Sequence, residues 1–317
     1  MNMPGAPDIS FVIAAYNAEE TLKRAIDSAL GQEAVSVEVL VVDDCSTDAT
    51  MEIAQSSGDR RVRLIRQSRN GGPGAARNAG IAAATGQWIA ILDSDDAVRP
   101  QRSRRMIECA HTLSAQIVVD NLDVVPMEGG GVERMFKDDD LRRQPTLELA
   151  DFIASNVIFR STFNFGYMKP IFRRDFLRGH RLTFDERLRI GEDYILLASA
   201  LASGGRCAVE PTAGYIYHVR NGSISRVLEQ HHVDAMLAAD EDFISRFALG
   251  AEAMTAQRRR TRSLIEARSF LALVDQLKER SVGGFLKAAI SNPSAMRHLR
   301  MPIAVRMRRL ARLAGIN

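Results

Sequence analysis

Two aspartates one residue apart, Asp93-Ser94-Asp95, follow an apolar run from Trp88 to Leu92. At a strand end this spacing turns two carboxylates towards one divalent cation, and hard oxygen ligands favour Mg²⁺ or Mn²⁺ over zinc. Such an ion bridges a diphosphate and neutralises it as it leaves. The same residues suit a solvated turn, so the motif alone decides little. Asp43-Asp44 closes another apolar run, Val37 to Val42. A carboxylate there accepts hydrogen bonds from a base N–H or a ribose hydroxyl, or merely complements the dipole of the next helix. Asn70-Gly71-Gly72-Pro73-Gly74-Ala75-Ala76-Arg77 is a glycine-rich loop entering a helix. It lets backbone approach a nucleotide, with Arg77 offering a bidentate phosphate contact, or it is a surface turn. It lacks the Gly-Lys-Ser/Thr ending of a P-loop and the register of a dinucleotide fingerprint. Glu192-Asp193 opens a helix beside Gly191. A carboxylate facing an acceptor hydroxyl can act as general base there, although acids at helix starts are common without any such role.

The elements that must position these residues alternate. Ile9 to Ala15 and Val37 to Val42 read as buried strands, and Val62 to Arg66, Trp88 to Leu92 and Ile117 to Val125 as further strands. Between them Ala18 to Leu30, a stretch ending near Ser57 and capped by Ser46 or Thr47, the stretch from Gly74 to about Gly86, and Arg99 to Leu113 read as helices. Alternation of this kind predicts an α/β fold with a parallel sheet and helices on both faces. Ligands sit at the carboxyl ends of such strands, where Tyr16-Asn17, Asp43-Asp44 and Asp93-Asp95 all fall. The second half is less regular. Gly129 to Lys137 reads as a hairpin or loop, Thr146 to Val157 and Gly191 to Ala202 as helices, Arg206 to Val209 and Tyr215 to Val219 as strands, and Arg226 to Phe247 as an amphipathic helix. Helix continues to Asn317 with breaks at Gly283-Gly284 and Pro293.

Composition bounds the function classes. Of the 317 residues, 46% are hydrophobic and 26% charged, the balance of a globular protein with a real core. A net charge of +3 gives no footprint for nucleic acid. The charge is unevenly spread: residues 251–317 hold 14 Lys and Arg against 4 Asp and Glu, leaving the first 250 with 28 against 35. Cys45, Cys109 and Cys207 are odd in number and lack metal-site spacing, which argues against a disulfide framework or structural zinc and fits a reducing compartment. Neither a signal-peptide pattern at Met1 to Asp8 nor an apolar run of about 18–20 residues appears, so the expectation is a cytoplasmic protein, peripheral on the inner membrane at most.

In order along the chain, Ile13-Ala14-Ala15-Tyr16-Asn17, Val41-Val42-Asp43-Asp44-Cys45-Ser46-Thr47-Asp48, Asn70-Gly71-Gly72 with Ala76-Arg77-Asn78, Leu92-Asp93-Ser94-Asp95-Asp96 and Gly191-Glu192-Asp193 resemble glycosyltransferase family 2. Five motifs in order are far more specific than any one. The resemblance covers roughly residues 8–225 and implies a GT-A type fold, a Rossmann-like mixed, mostly parallel sheet flanked by helices, and an inverting enzyme. It implies that Ala14, Tyr16, Asp43, Asp44, Arg77, Asp93 and Ser94 bind the nucleotide-sugar and that Asp93 and Asp95 hold Mg²⁺ or Mn²⁺. Asp193, with Glu192 beside it, corresponds to the catalytic base. Tyr217 to Ser225 resembles the segment that closes over the diphosphate; relatives place histidine where this chain has Arg220, so His218 or Arg220 takes the metal or diphosphate contact. The partners implied are a nucleotide-diphosphate sugar and a glycan or lipid-linked oligosaccharide acceptor, as in bacterial exopolysaccharide assembly of the succinoglycan type. Processive synthases of the superfamily carry Gln-x-x-Arg-Trp; the single tryptophan here is Trp88, which points to addition of one sugar. A nucleotidyltransferase would show a glycine-rich signature where this chain has Ala14-Ala15-Tyr16-Asn17. A non-catalytic binding module would have lost some of Asp44, Asp93, Asp95 and Asp193.

The implied organisation is a glycosyltransferase domain over 1–225, its donor-binding half 1–125 and acceptor-binding half 126–225, followed by a basic helical extension over 226–317. In that extension Phe285, Leu286, Ile290, Leu299, Ile303, Leu310 and Leu313 interleave with Arg297, Arg300, Arg306, Arg308, Arg309 and Arg312. Such a stretch suits an anionic membrane surface, or equally a packing face on the body or on a second subunit of an oligomer.

Overall fold

The computed structural model describes residues 5–126, 131–160, 163–219 and 228–279, with Gly283 and Ile290. The first half follows the expected alternation: β1 (Ile9–Ala15), α1 (Leu22–Leu30), β2 (Val37–Asp43), α2 (Thr50–Ser56), β3 (Val62–Arg66), α3 (Pro73–Ala83), β4 (Trp88–Ile91), the short β5 (Ala97–Val98) and α4 (Arg102–Leu113). Then come β6 (Ile117–Pro126), β7 (Glu133–Arg134), α5 (Asp138–Arg142), α6 (Leu149–Ser155), β8 (Ile171–Arg173), α7 (Arg174–Gly179), α8 (Glu192–Ala202), β9 (Cys207–Val219), α9 (Gln230–Arg246) and α10 (Ala251–Lys278).

Among the described residues nine strands form one sheet in the order β3-β2-β1-β4-β8-β6-β9-β5, with β7 on β6. β1, β2, β3 and β4 run parallel to their neighbours in this group. β1 and β2 are near-continuous apolar runs because helices cover both faces of the sheet there. The chain order reverses between β1 and β4, and the crevice at such a reversal is where open α/β sheets bind ligands. The other half is mixed: β8 is antiparallel to both β4 and β6, while β6 and β9 are parallel.

Three local readings differ from the structure. Arg206 to Val209 and Tyr215 to Val219 belong to one strand, β9, whose register against β6 shifts between Asp120 and Leu122. A bulge absorbs Pro211 and Thr212, which lack ladder partners, and so the strand continues across a proline. β8 lies within Tyr167 to Phe184, a stretch of mixed aromatic and basic residues that reads as no element, because a three-residue strand is too short to show a period. Neither Ser46 nor Thr47 caps α2, which starts at Thr50. α9 and α10 pack on each other and against α6 and α8. Apart from Ile290, the apolar and basic residues singled out from Phe285 to Leu313 lie outside the described residues, as does Arg220.

Candidate active site

A cleft of about 610 Å³ opens at the carboxyl ends of β1 and β4. One wall is made by the ends of β1, β2 and β4. The loops after β1 and β2 are stitched together. Asn17 N–H donates to Ser46 Oγ (3.0 Å), Thr47 N–H to Asn17 Oδ1 (2.9 Å), Ala18 N–H to Thr50 Oγ1 (2.7 Å) and Ala49 N–H to Glu19 Oε2 (2.9 Å). Asn17 and Cys45 take left-handed backbone conformations, at φ 49° and 65°, to make these turns. This stitching is what Ser46 and Thr47 do in place of capping. Ala14 and Tyr16 line the cleft from β1 and the turn after it, and Tyr16 is 49% exposed.

Asp43 and Asp44 are both buried. Asp43 accepts from Ser46 N–H at 3.2 Å and is absent from the cleft lining. Asp44 lines the cleft and accepts from Gly71 N–H (2.8 Å) and Gly72 N–H (2.7 Å), so its carboxylate shapes the glycine loop. Gly72 has φ +87°, and a side chain there would collide with the guanidinium of Arg189. Pro73 then opens α3, where a missing N–H costs nothing.

The opposite wall comes from segments far apart in sequence: Asn156 and Ile158 after α6, Asn164 to Lys169, Arg189 to Tyr194, Tyr217 and His218 from β9, Met236 of α9 and Arg260 of α10. Gly191 turns the chain into α8 with φ +89°. Glu192 and Asp193 then occupy the first helical turn, where the dipole favours negative charge.

Between the walls five charges interlock. Arg77 reaches from α3 and donates to Asp93 Oδ1 (2.7 Å), Glu192 Oε1 (2.7 Å) and Asp193 Oδ1 (3.1 Å), with Phe184 beneath its guanidinium. Lys169 Nζ lies 2.8 Å from Asp93 Oδ2 and 2.7 Å from Asp193 Oδ2. Asp93 and Asp193 are thus joined twice, once through each cation. Burial works against the charge on Arg77 and Lys169, but the carboxylates outweigh it and hold both firmly protonated. Burial likewise opposes the Asp93 carboxylate, and Lys169 and Arg77 prevail, lowering it well below the usual range. Burial raises Glu192, with Asp193 adding repulsion. Two cations face three carboxylates, so one negative charge is uncompensated if all are ionised.

Sequence reasoning missed Lys169. It also missed the hub at Asp96, which is buried to 1% exposure. Asp96 accepts from Tyr215 Oη (2.8 Å) and His218 N–H (2.8 Å), tying the end of β4 to β9. Burial raises the Asp96 carboxyl, and it raises the Tyr215 phenol too. Tyr215 Oη also accepts from Asp93 N–H at 3.2 Å. The run of acids at 93–96 was visible; that its last member faces inward was not.

Ser94 and Asp95 line the cleft, and Arg24 donates to the Asp95 carbonyl. Among the described residues no three His, Cys, Asp or Glu side chains gather as a metal cage. Both Asp93 oxygens already meet cations. Beside it Asp95 and His218 line the cleft, and His218 Nδ1, buried and without a hydrogen-bond partner, lies 3.8 Å from Asp96 Oδ1. That donor set fits a cation taking most of its ligands from a diphosphate and water, as Mg²⁺ commonly does, and does not fit an all-protein cage.

A reversal-point cleft with an acidic strand end on one side and a helix-start carboxylate on the other is the arrangement that the resemblance implied for a sugar-transferring enzyme of GT-A type. The comparisons bear on which one. The glycosyl transferase family 2 model matches residues 10–176. The succinoglycan biosynthesis protein ExoO of Rhizobium meliloti is 63% identical over 314 residues, 98% of this chain and 90% of that protein. ExoU of the same organism is 31% identical over 303 residues, 93% and 86% respectively. The chain belongs to glycosyl transferase family 2 and is a glycosyltransferase. Staphylococcus aureus TarS residues 1–349, solved with UDP-GlcNAc, superposes with a TM-score of 0.63 over 90% of this chain and 91% of that one. At 18% identity that likeness speaks for the fold.

Proposed function

We propose that this glycosyltransferase is an inverting, metal-dependent enzyme that moves one sugar from a nucleotide-diphosphate donor, a UDP-sugar, to a growing exopolysaccharide. The similarity to ExoO and ExoU, named for succinoglycan biosynthesis, supports that pathway class; the acceptor in this reading is a lipid-linked oligosaccharide. UDP-GlcNAc on TarS supports a nucleotide-sugar in the corresponding cleft. The observation that carries the reading is the double bridge between Asp93, on the donor wall, and Asp193, on the other.

In this reading Tyr16, Ala14 and the main chain around Asp44 bind the nucleoside. Asp43 acts through the turn it shapes, and Ser94 supports the diphosphate end. Asp193 accepts the proton of an acceptor hydroxyl, whose oxygen attacks the anomeric carbon opposite the diphosphate. Arg77, itself anchored by Glu192, holds Asp193 in place. Bound Mg²⁺ or Mn²⁺ would supply positive charge for the leaving diphosphate, with Asp95 and His218 the residues that would hold it; Asp93, whose two oxygens meet Arg77 and Lys169, would act on it only as a neighbouring charge. The 1–225 domain carries the chemistry, and α9 and α10 complete the acceptor wall. The chain works in the cytoplasm. No helix among the described residues is long and apolar enough to cross a membrane. In this reading the basic segment beyond them binds the anionic inner leaflet: deleting residues 297–317 should abolish anionic-vesicle co-sedimentation, and undiminished sedimentation would remove that role.

Thermal shift with UDP and Mn²⁺, separately and together, tests the reading. Stabilisation by the pair should exceed the sum of the single shifts, because each ligand completes the other's site. Additive or absent shifts would refute a cation-bridged diphosphate. A panel of nucleotide-sugars, scored by nucleoside diphosphate release, then identifies the donor.

A further inference from the structure

Arg77 and Lys169 both bridge Asp93 and Asp193, but they are built differently. Arg77 comes from the middle of α3 and is sandwiched between Phe184 and three carboxylates. Lys169 stands just before β8, and its Nζ meets the outward oxygens, Oδ2, of the two aspartates. The backbone of Lys169 is anchored from behind. Its carbonyl accepts from Arg102 Nη2 at 2.6 Å. Arg102 has no exposed side-chain surface; it forks onto Asp120 at 2.8 and 2.9 Å and lies over the Tyr215 ring. Tyr215 in turn meets Asp96 and the Asp93 N–H. Burying such an arginine is expensive, and its Nε and Nη2 are paired while Nη1 is buried without a hydrogen-bond partner. Here the buried pair fixes the segment that delivers one ammonium to the two aspartates.

We propose that Lys169 is the positioning residue of the transfer reaction: it acts through Asp193, holding Oδ2 while Arg77 holds Oδ1, so that the base carboxylate keeps one orientation towards the acceptor hydroxyl. This rests on the reading of Asp193 as the base. An ammonium suits the task because its three donors rotate on a four-carbon stem and need no planar fork. A carboxylate bound through both oxygens loses its rotational freedom. Displacing a reacting group by about 1 Å costs ~10²-fold in rate. Lys169 needs no contact with nucleotide, acceptor or metal for this effect.

A double-mutant cycle tests it. Lys169→Met and Lys169→Gln should each lower kcat by ~10²-fold, with UDP affinity by calorimetry and donor KM each within about twofold of wild type. Lys169→Arg, which keeps the charge, should recover turnover to within ~10-fold of wild type. In an Asp193→Asn background, Lys169→Met or Lys169→Gln should cost less than about threefold more, since residues acting as one unit are not additive. Intact UDP binding in each variant establishes folding, and the glutamine variant serves if the methionine one does not fold. Costs that multiply in the double mutant would overturn the positioning role and leave Asp193 as base. Wild-type turnover in Asp193→Asn alone would overturn the base assignment itself. Loss of UDP affinity matching the loss of turnover would make Lys169 a donor contact instead.

Discussion

The two walls of the cleft are built on different principles. The loops of the wall at the ends of β1, β2 and β4 are held by main-chain N–H groups donating to side chains about 30 residues away, three of them neutral and one the Glu19 carboxylate. The wall opposite is side chains from six distant segments held by buried ion pairs. Arg77 meets Glu192 and Asp193 across 115 and 116 residues. Arg260 holds Asp240 at 3.0 Å, donates to the Asn156 carbonyl and stacks on Tyr194 at 3.5 Å. Strand ends set the first wall, and charge sets the second. Damage to the first should appear as weaker nucleotide binding. Damage to the second should appear as lost turnover and lost stability together.

The largest effect expected is for Arg77→Met, which leaves three carboxylates facing one ammonium. Removing one partner of a buried pair costs about 3–5 kcal/mol. Urea unfolding should report that loss, with turnover undetectable; a loss under about 1 kcal/mol would mean that the second wall is not charge-held. Arg260→Met should cost somewhat less, about 3 kcal/mol, because Gln257 stays on Asp240 at 2.9 Å. It should also loosen α10 from α6, read as faster amide exchange in α10.

The charge-held wall further predicts a pH signature. Asp93 is lowered in the folded state from its ordinary 3.8, so its stabilising contribution is fully present above that value and is lost as pH falls through the folded value. The stability gap between wild type and Asp93→Asn should therefore be flat from pH 7 to about 5 and narrow only in stronger acid. A gap that closed near neutrality would assign the effect to another group. The smallest change belongs to the first wall. Ser46→Ala removes one acceptor at a half-exposed turn, and should cost about 1 kcal/mol and weaken UDP binding a few-fold without altering kcat.

The same contrast explains what the sequence made legible. β1, β2 and β4 could be read because each is a short, largely apolar run ending in polar residues, and the motif residues Tyr16, Asp44 and Asp95 sit at those ends. Asp193 could be found because Gly191-Glu192-Asp193 is a local signal. Lys169 could not, because nothing in Tyr167-Met168-Lys169-Pro170 marks it and its meaning lies wholly in remote partners. Arg77 looked like a phosphate ligand from its glycine-rich loop, whereas its guanidinium meets carboxylates. β9 looked like two strands because a period-two pattern cannot show that a bulge carries the chain past Pro211.

Turnover of Asp193→Asn, measured as nucleoside diphosphate release beside calorimetric UDP affinity, addresses the convergence of the two walls most directly. The expected result is a fall of at least ~10²-fold in turnover with UDP affinity within about twofold of wild type. Unchanged turnover, or a fall explained entirely by lost UDP binding, would contradict a carboxylate base facing the donor across this cleft.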